Sequence, residues 1–216
     1  MKKSIIWIVT ISVLLIASIL LYSLARPCEL ETHEYEILEN FKDIKITTDT
    51  ADIQFILSEK PNTFIVCEEE KYANHSVMVK ENTLRIEVND NKKWYEDIGI
   101  NLRAPKITVY LGKSEYGNIS LKTDIGNILL DNIIVTGKIA IETDTGNVKF
   151  EECDASEVFI ETDTGNVTGS FVTDKVVFAE SDAGNIDIPK VIADEKCEII
   201  TDTGNIKITI EQKNNS

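Results

Sequence analysis

The sequence predicts an all-β protein, a parallel β-helix or β-solenoid of right-handed coil, preceded by an N-terminal transmembrane helix. Three observations carry this expectation. A short unit built on Asp-x-Gly-Asn recurs five times at intervals of 19 or 20 residues, β-branched residues alternate with polar ones in constant phase between the copies, and a 22-residue stretch near the start has no charge. The 216-residue chain also carries 37 acidic against 22 basic side chains, a formal net charge of −15.

The uncharged stretch runs from Ser4 to Ala25, and a helix of about 20 apolar residues crosses a bilayer core. A cleaved signal peptide has a shorter apolar run, about 7–15 residues, ending in a small-x-small site. Here the run is longer, and Leu24-Ala25-Arg26-Pro27 lacks that site. Lys2 and Lys3 precede the span and only Arg26 follows it closely. The positive-inside bias therefore places the N-terminus in the cytoplasm and residues 27–216 outside the cell membrane. The expected organisation is a cytoplasmic tip and signal-anchor helix over 1–26, a linker over 27–40 and an ectodomain over 41–216. All 37 acidic residues follow position 26, against 19 of the basic ones, so the exterior part carries −18.

From 41 to 118 the pattern is irregular. Alternating β-formers predict strands at Ile44–Thr48, Asp52–Leu57, Thr63–Glu68, Ser76–Lys80, Leu84–Val88 and Ile107–Leu111, with Glu81-Asn82 as a hairpin turn. Asn89 to Ala104 reads as a long loop in which Trp94 and Tyr95 interrupt a polar run. Such aromatics stack on sugars or partners, or fold back as a lid.

From 119 to 210 the coils become regular. The units are Thr123-Asp-Ile-Gly-Asn-Ile128, Thr143-Asp-Thr-Gly-Asn-Val148, Thr162-Asp-Thr-Gly-Asn-Val167, Ser181-Asp-Ala-Gly-Asn-Ile186 and Thr201-Asp-Thr-Gly-Asn-Ile206, and Thr48-Asp-Thr-Ala-Asp-Ile53 is a degenerate copy. Seven residues before each glycine stand Ile119, Ile139, Val158, Val177 and Cys197, and five before stand Leu121, Ile141, Ile160, Ala179 and Ile199. These columns face one side, and charged residues such as Lys122, Glu142, Glu161 and Glu180 face the other. Two after the glycine come Ile128, Val148, Val167, Ile186 and Ile206, which begin a second inward strand. Equal residues at equal phase favour parallel stacking of coils about 4.8 Å apart. In the unit itself, Gly is expected to supply positive φ, while Asp and Asn bond neighbouring backbone or stack as a ladder.

Ala51-Asp-Ile53, Leu84-Arg-Ile86, Ile107-Thr-Val-Tyr-Leu-Gly112 and the serial Thr-Asp-Thr-Gly-Asn units together resemble the bacterial β-strand-repeat proteins called putative adhesins, a domain family of unknown function. The resemblance covers roughly 40–210. It implies a membrane-anchored or exported β-solenoid, linked in some members to envelope-stress systems, and it brings no catalytic residues. Gly112 departs from the proline or other turn former expected near that strand end.

The excess of acid excludes a nucleic-acid groove, because phosphate contacts need Lys or Arg in number. His33 and His75 lie far apart with no ligand spacing, which argues against a histidine zinc site and a Ser-His-Asp triad. Asp144, Asp163 and Asp202 each open an Asp-Thr-Gly triplet like that of aspartic proteases, yet the triplet recurs coil after coil as a turn former would. With Asp124 and Asp182 they form a column of five carboxylates, the one candidate cation ladder. Calcium could bridge such a column, although the Gly-Gly-x-Gly-x-Asp pattern of calcium β-rolls is missing. Cys67, Cys153 and Cys197 fall at apolar positions and are expected as free core thiols. Outward Phe159, Phe171 and Phe178 form an apolar stripe for a partner or cover strand faces. The functional expectation is a non-enzymatic binding or structural module that meets a surface ligand or envelope protein. The alternatives are a polysaccharide-acting β-helix enzyme and a self-assembling envelope scaffold.

Overall fold

A computed structural model describes residues 30–70, 73–90, 104–113, 115–192 and 196–211. The expected membrane segment 4–25, together with Cys28, Trp94 and Tyr95, lies outside the described residues, among which no helix is long and apolar enough to cross a membrane. The described chain is built of strands alone: β1 (Leu30–Ile37), β2 (Asp43–Thr48), β3 (Asp52–Leu57), β4 (Thr63–Glu70), β5 (Ala73–Lys80), β6 (Thr83–Asp90), β7 (Lys106–Leu111) and β8 (Glu115–Tyr116) in the first half. The second half holds β9 (Ile119–Ile125), β10 (Ile128–Asp131), β11 (Ile134–Thr145), β12 (Val148–Thr164), β13 (Val167–Ala183), β14 (Ile186–Ile192), β15 (Lys196–Thr203) and β16 (Ile206–Glu211).

The fold class differs from the expected parallel β-solenoid. The strands join in the order β12-β10-β3-β7-β4-β5-β6-β2-β9-β11 and return to β12, which closes a ten-stranded β-barrel. Two features of the chain cause the closure. Strand β12 is 17 residues long and turns a corner, pairing with β10 through Val148–Glu151 and with β11 through Asp154–Thr164. At the opposite side, β4 pairs antiparallel with β7, β5 with β4, and β6 with β5, so the non-repeating segment bridges the two parallel faces. The sequence pattern exposed the equal phases of the repeat and the β5–β6 hairpin, but held no sign of the antiparallel links from β4 to β7 and to β5. A second correction concerns the expected linker 27–40, most of which is β1, paired antiparallel with β4 along its whole length.

Within the repeat, neighbouring strands pair in parallel at equal phase: Ile119 meets Ile139, Ile139 meets Val158, and Val158 meets Val177. Period-2 alternation places these residues inside. Ile119, Ile139, Val158, Val177, Leu121, Ile141, Ile160 and Ala179 are all buried, as are Ile128, Val148, Val167 and Ile186 of the strands after each turn. Ile206, in the last described copy, is 48% exposed. The six strands expected between 44 and 111 are present, and the Glu81–Asn82 turn has positive φ at both positions, 52° and 62°. That is the backbone of a two-residue hairpin whose twist matches its strands.

The glycines of the unit act differently from expectation, since the one described glycine with positive φ is Gly169. Each unit glycine instead lets two coils touch. A Cβ on Gly165 would stand 1.8 Å from the carbonyl oxygen of Gly146, and one on Gly184 equally close to that of Gly165.

Candidate functional site

The five-carboxylate column is placed first by the turn geometry. Asp124, Asp144, Asp163, Asp182 and Asp202 are all exposed on the outer edge, one per coil. The ladder along that edge is made by asparagine. The Nδ2 of Asn147 donates to Oδ1 of Asn127 at 3.0 Å, Asn166 to Asn147 at 2.9 Å, Asn185 to Asn166 at 3.2 Å and Asn205 to Asn185 at 3.1 Å. Asp52, from the degenerate first copy, accepts from Asn127 at 3.0 Å and so begins the stack. One layer inside, the buried Ser181 donates its hydroxyl to the Gly165 carbonyl at 3.0 Å, and the half-buried Thr201 does the same to the Gly184 carbonyl at 3.1 Å. The unit therefore serves the fold through Thr, Gly and Asn and leaves Asp to solvent.

The outer face of β2, β9, β11, β12 and β13 carries a groove of about 490 Å³. Strand register explains it. One row across the strands reads Lys45, Ser120, Ala140, Phe159 and Phe178, so two small residues lie between a lysine and two rings. Ser120 and Ala140 make the floor, while Phe159 and Phe178, 6.2 Å apart, make one wall. The ammonium of Lys138 lies 3.7 Å from the centre of the Phe159 ring. The neighbouring row reads Thr47, Lys122, Glu142, Glu161 and Glu180, basic at one end and acidic at the other. Lys122 and Glu142 form an ion pair, and the hydrogen bond that the ammonium donates to Glu142 holds it above its ordinary range. The outward phenylalanines singled out in the sequence are thus half-buried groove walls for Phe159 and Phe178, while the side chain of Phe171 lies outside the described residues.

The barrel interior holds a polar cluster that sequence spacing did not indicate. Cys67 and Glu69, two apart on β4, face inward together and are fully buried. Antiparallel pairing sets His33 of β1 opposite Cys67. The hairpin joining β4 to β5 pairs at Glu70 and Ala73, and beyond it Glu69 supplies a side-chain acceptor: its Oε2 takes the backbone N–H of His75 at 2.7 Å. The same oxygen accepts from His75 Nδ1, and Oε1 from His33 Nδ1, both at 2.7 Å. With Nδ1 donating to the carboxylate, Nε2 of His75 accepts from the Thr48 hydroxyl, 2.8 Å away. Residues separated by 36 and 6 positions from Glu69 thus meet on one carboxylate, so the spacing argument against the histidines failed because it counted sequence, not register. Burial, then the nearby Glu69, pushes the Cys67 thiol up to about 12. Cys153 is also free and buried, and burial pushes its thiol up to about 11.

A strand-only barrel with in-register parallel coils and an asparagine edge defines a class of repeat-built β-proteins. The particular family follows from the sequence: residues 41–216 match the Toastrack DUF4097 family, and the chain belongs to it. Among solved structures, a putative adhesin from Bacteroides fragilis NCTC 9343 is similar, at 19% identity and a TM-score of 0.51, over 83% of this chain and 97% of that one. A putative cell adhesion protein from Clostridium sporogenes ATCC 15579 is similar at 11% identity and a TM-score of 0.50, over 84% of this chain and all of that one. At such identities the likeness is one of fold. No curated protein sequence matches the chain.

Proposed function

We propose that this protein is a non-enzymatic, adhesin-like binding module, anchored in the cell membrane by residues 4–25 with residues 27–216 outside, and that its ligand is a glycan chain of a cell envelope. The groove across β2, β9, β11, β12 and β13 carries this reading. Rings such as Phe159 and Phe178 suit the apolar faces of sugars, and Lys122 with the three glutamates of the adjacent row suits hydroxyls. The open floor of Ser120 and Ala140 suits an extended polymer better than a small enclosed substrate. The names of the two similar structures agree with such a role, and the apolar segment supports the anchor.

Binding of purified envelope polysaccharide to the full chain in detergent tests the ligand. Retention that is lost in Phe159→Ala and in an Ala140→Trp variant, whose bulk fills the floor, supports the reading. Equal retention by those variants, or none by the unaltered chain, sinks it. A reporter fused at each terminus tests the orientation, with activity outside the membrane expected at the C-terminus.

A further inference from the structure

We propose that Cys67, Glu69 and His75 bind a zinc-like transition-metal ion inside the barrel, independently of the groove. One thiol sulfur, one carboxylate oxygen and one imidazole nitrogen from these residues lie within 4.8 Å of one another. All three side chains are at least nine-tenths buried, with relative exposures of 0% for Cys67 and Glu69 and 5% for His75. Among the described residues, this is the one place where such donors gather.

The donor set selects the ion. Thiolate with imidazole and carboxylate suits zinc and its neighbours, whereas calcium and magnesium take oxygen alone. The exposed aspartate column offers only oxygen and is the weaker place for a transition metal. The Cys67 thiol has no hydrogen-bond partner among the described residues, so metal ligation costs it no existing bond. Occupancy needs small movements, since ligand atoms around tetrahedral zinc sit about 3.3–3.8 Å apart, given bonds of about 2.0–2.3 Å.

The rearrangement balances. The ion forms a bond to the Cys67 sulfur and the thiol proton leaves to solvent. The proton on His75 Nδ1 is released and one returns at Nε2, so the ring changes tautomer while Nδ1 takes the metal. Thr48 Oγ1, 2.8 Å from Nε2, then changes from donor to acceptor. A ligating histidine almost always gives its other N–H to such a partner, which fixes the ring. His33, hydrogen-bonded to the far oxygen of Glu69 and 44% exposed, stands on the solvent side and positions the carboxylate.

Cobalt(II) alone and zinc(II) alone are the probes, added to the metal-free full chain in detergent. One equivalent of cobalt is expected, with a near-ultraviolet sulfur-to-cobalt absorption. That band should vanish in Cys67→Ser and persist in Cys153→Ser, and affinity should fall by about 100-fold or more in His75→Ala. Should these variants fail to fold, X-ray absorption of the zinc-loaded unaltered chain decides the matter. A single zinc–sulfur distance of about 2.3 Å supports the site, and a shell of nitrogen and oxygen alone overturns it. A sulfur-to-cobalt band that survives Cys67→Ser, or no bound equivalent, also overturns it. Glycan retention by Phe159→Ala is a separate readout, so loss of one proposal leaves the other standing.

Discussion

Strands β9 to β16 and strands β1 to β7 satisfy their inward polar groups in contrasting ways. In the repeat, every coil does the same small thing: a Thr or Ser hydroxyl reaches the carbonyl one coil back, and an Asn amide reaches the Asn one coil back. Each bond is local and replaceable, because its neighbours are copies. In the first half, antiparallel β1, β4 and β5 gather His33, Glu69 and His75, and parallel β2 adds Thr48, in a single network where each depends on the others. Repetition spreads polar satisfaction over many equal bonds, while an irregular barrel wall concentrates it. An unpartnered buried polar group costs its full desolvation, so damage should be graded in the repeat and abrupt in the cluster.

The largest effect should come from Glu69→Ala, which strands the His75 imidazole and its backbone N–H inside the barrel. Two orphaned buried donors at about 1–3 kcal/mol each make a loss of about 3–5 kcal/mol in urea unfolding the expected result, and a loss under 1 kcal/mol would erase the contrast. Gly165→Ala follows, since its Cβ would meet the Gly146 carbonyl at 1.8 Å. Forcing two coils apart should cost about 3 kcal/mol, with the melt broadened if the strands beyond that coil loosen first.

Alkali compares one thiol from each half. The folded values near 12 for Cys67 and 11 for Cys153 exceed the ordinary 9.0, so the folded state favours the protonated thiols. Their contribution is complete below pH 9.0 and is lost as pH rises toward those folded values. Each thiol should add about 1.4 kcal/mol of lost stability per pH unit in that window. Only the Cys67 part should continue above about 11, which Cys67→Ala and Cys153→Ala urea curves at stepped pH would separate.

Asn166→Ala removes one rung of an edge ladder and should cost about 1 kcal/mol, a value that a similar loss at Asn147→Ala would sharpen. The smallest effect is expected from calcium. The exposed carboxylates repel one another by only about 0.9 kcal/mol per pair in water at 4.8 Å. Millimolar calcium should therefore leave the unfolding midpoint unchanged; a rise abolished by Asp144→Asn with Asp163→Asn would show that the column holds cations.

Much was legible because β-structure writes its period into the residues. Ile139, Val158 and Val177 announce an inward column, and Glu81-Asn82 announces a hairpin, by rules that act over two to seven residues. The edge ladder was half legible: Asp and Asn both suit a corner, and only the folded structure assigns the stacking to Asn. The groove was not legible, because the small floor comes from Ser120 and Ala140 lying beside Phe159 across strands 20 residues apart. Strand β1 was missed because Glu31, Glu34 and Glu36 mask its alternation, while inward His33, Tyr35 and Ile37 pack against β4.

By itself, then, the sequence determined the all-β composition, the coil length, the inward columns and the family. Tertiary structure decided that the sheet closes into a ten-stranded barrel, and that two distant histidines share one carboxylate. The division has one physical cause. Phase and turn chemistry are properties of neighbouring residues, whereas closure and the cluster depend on which strand edges find each other, and a backbone edge carries no side-chain label.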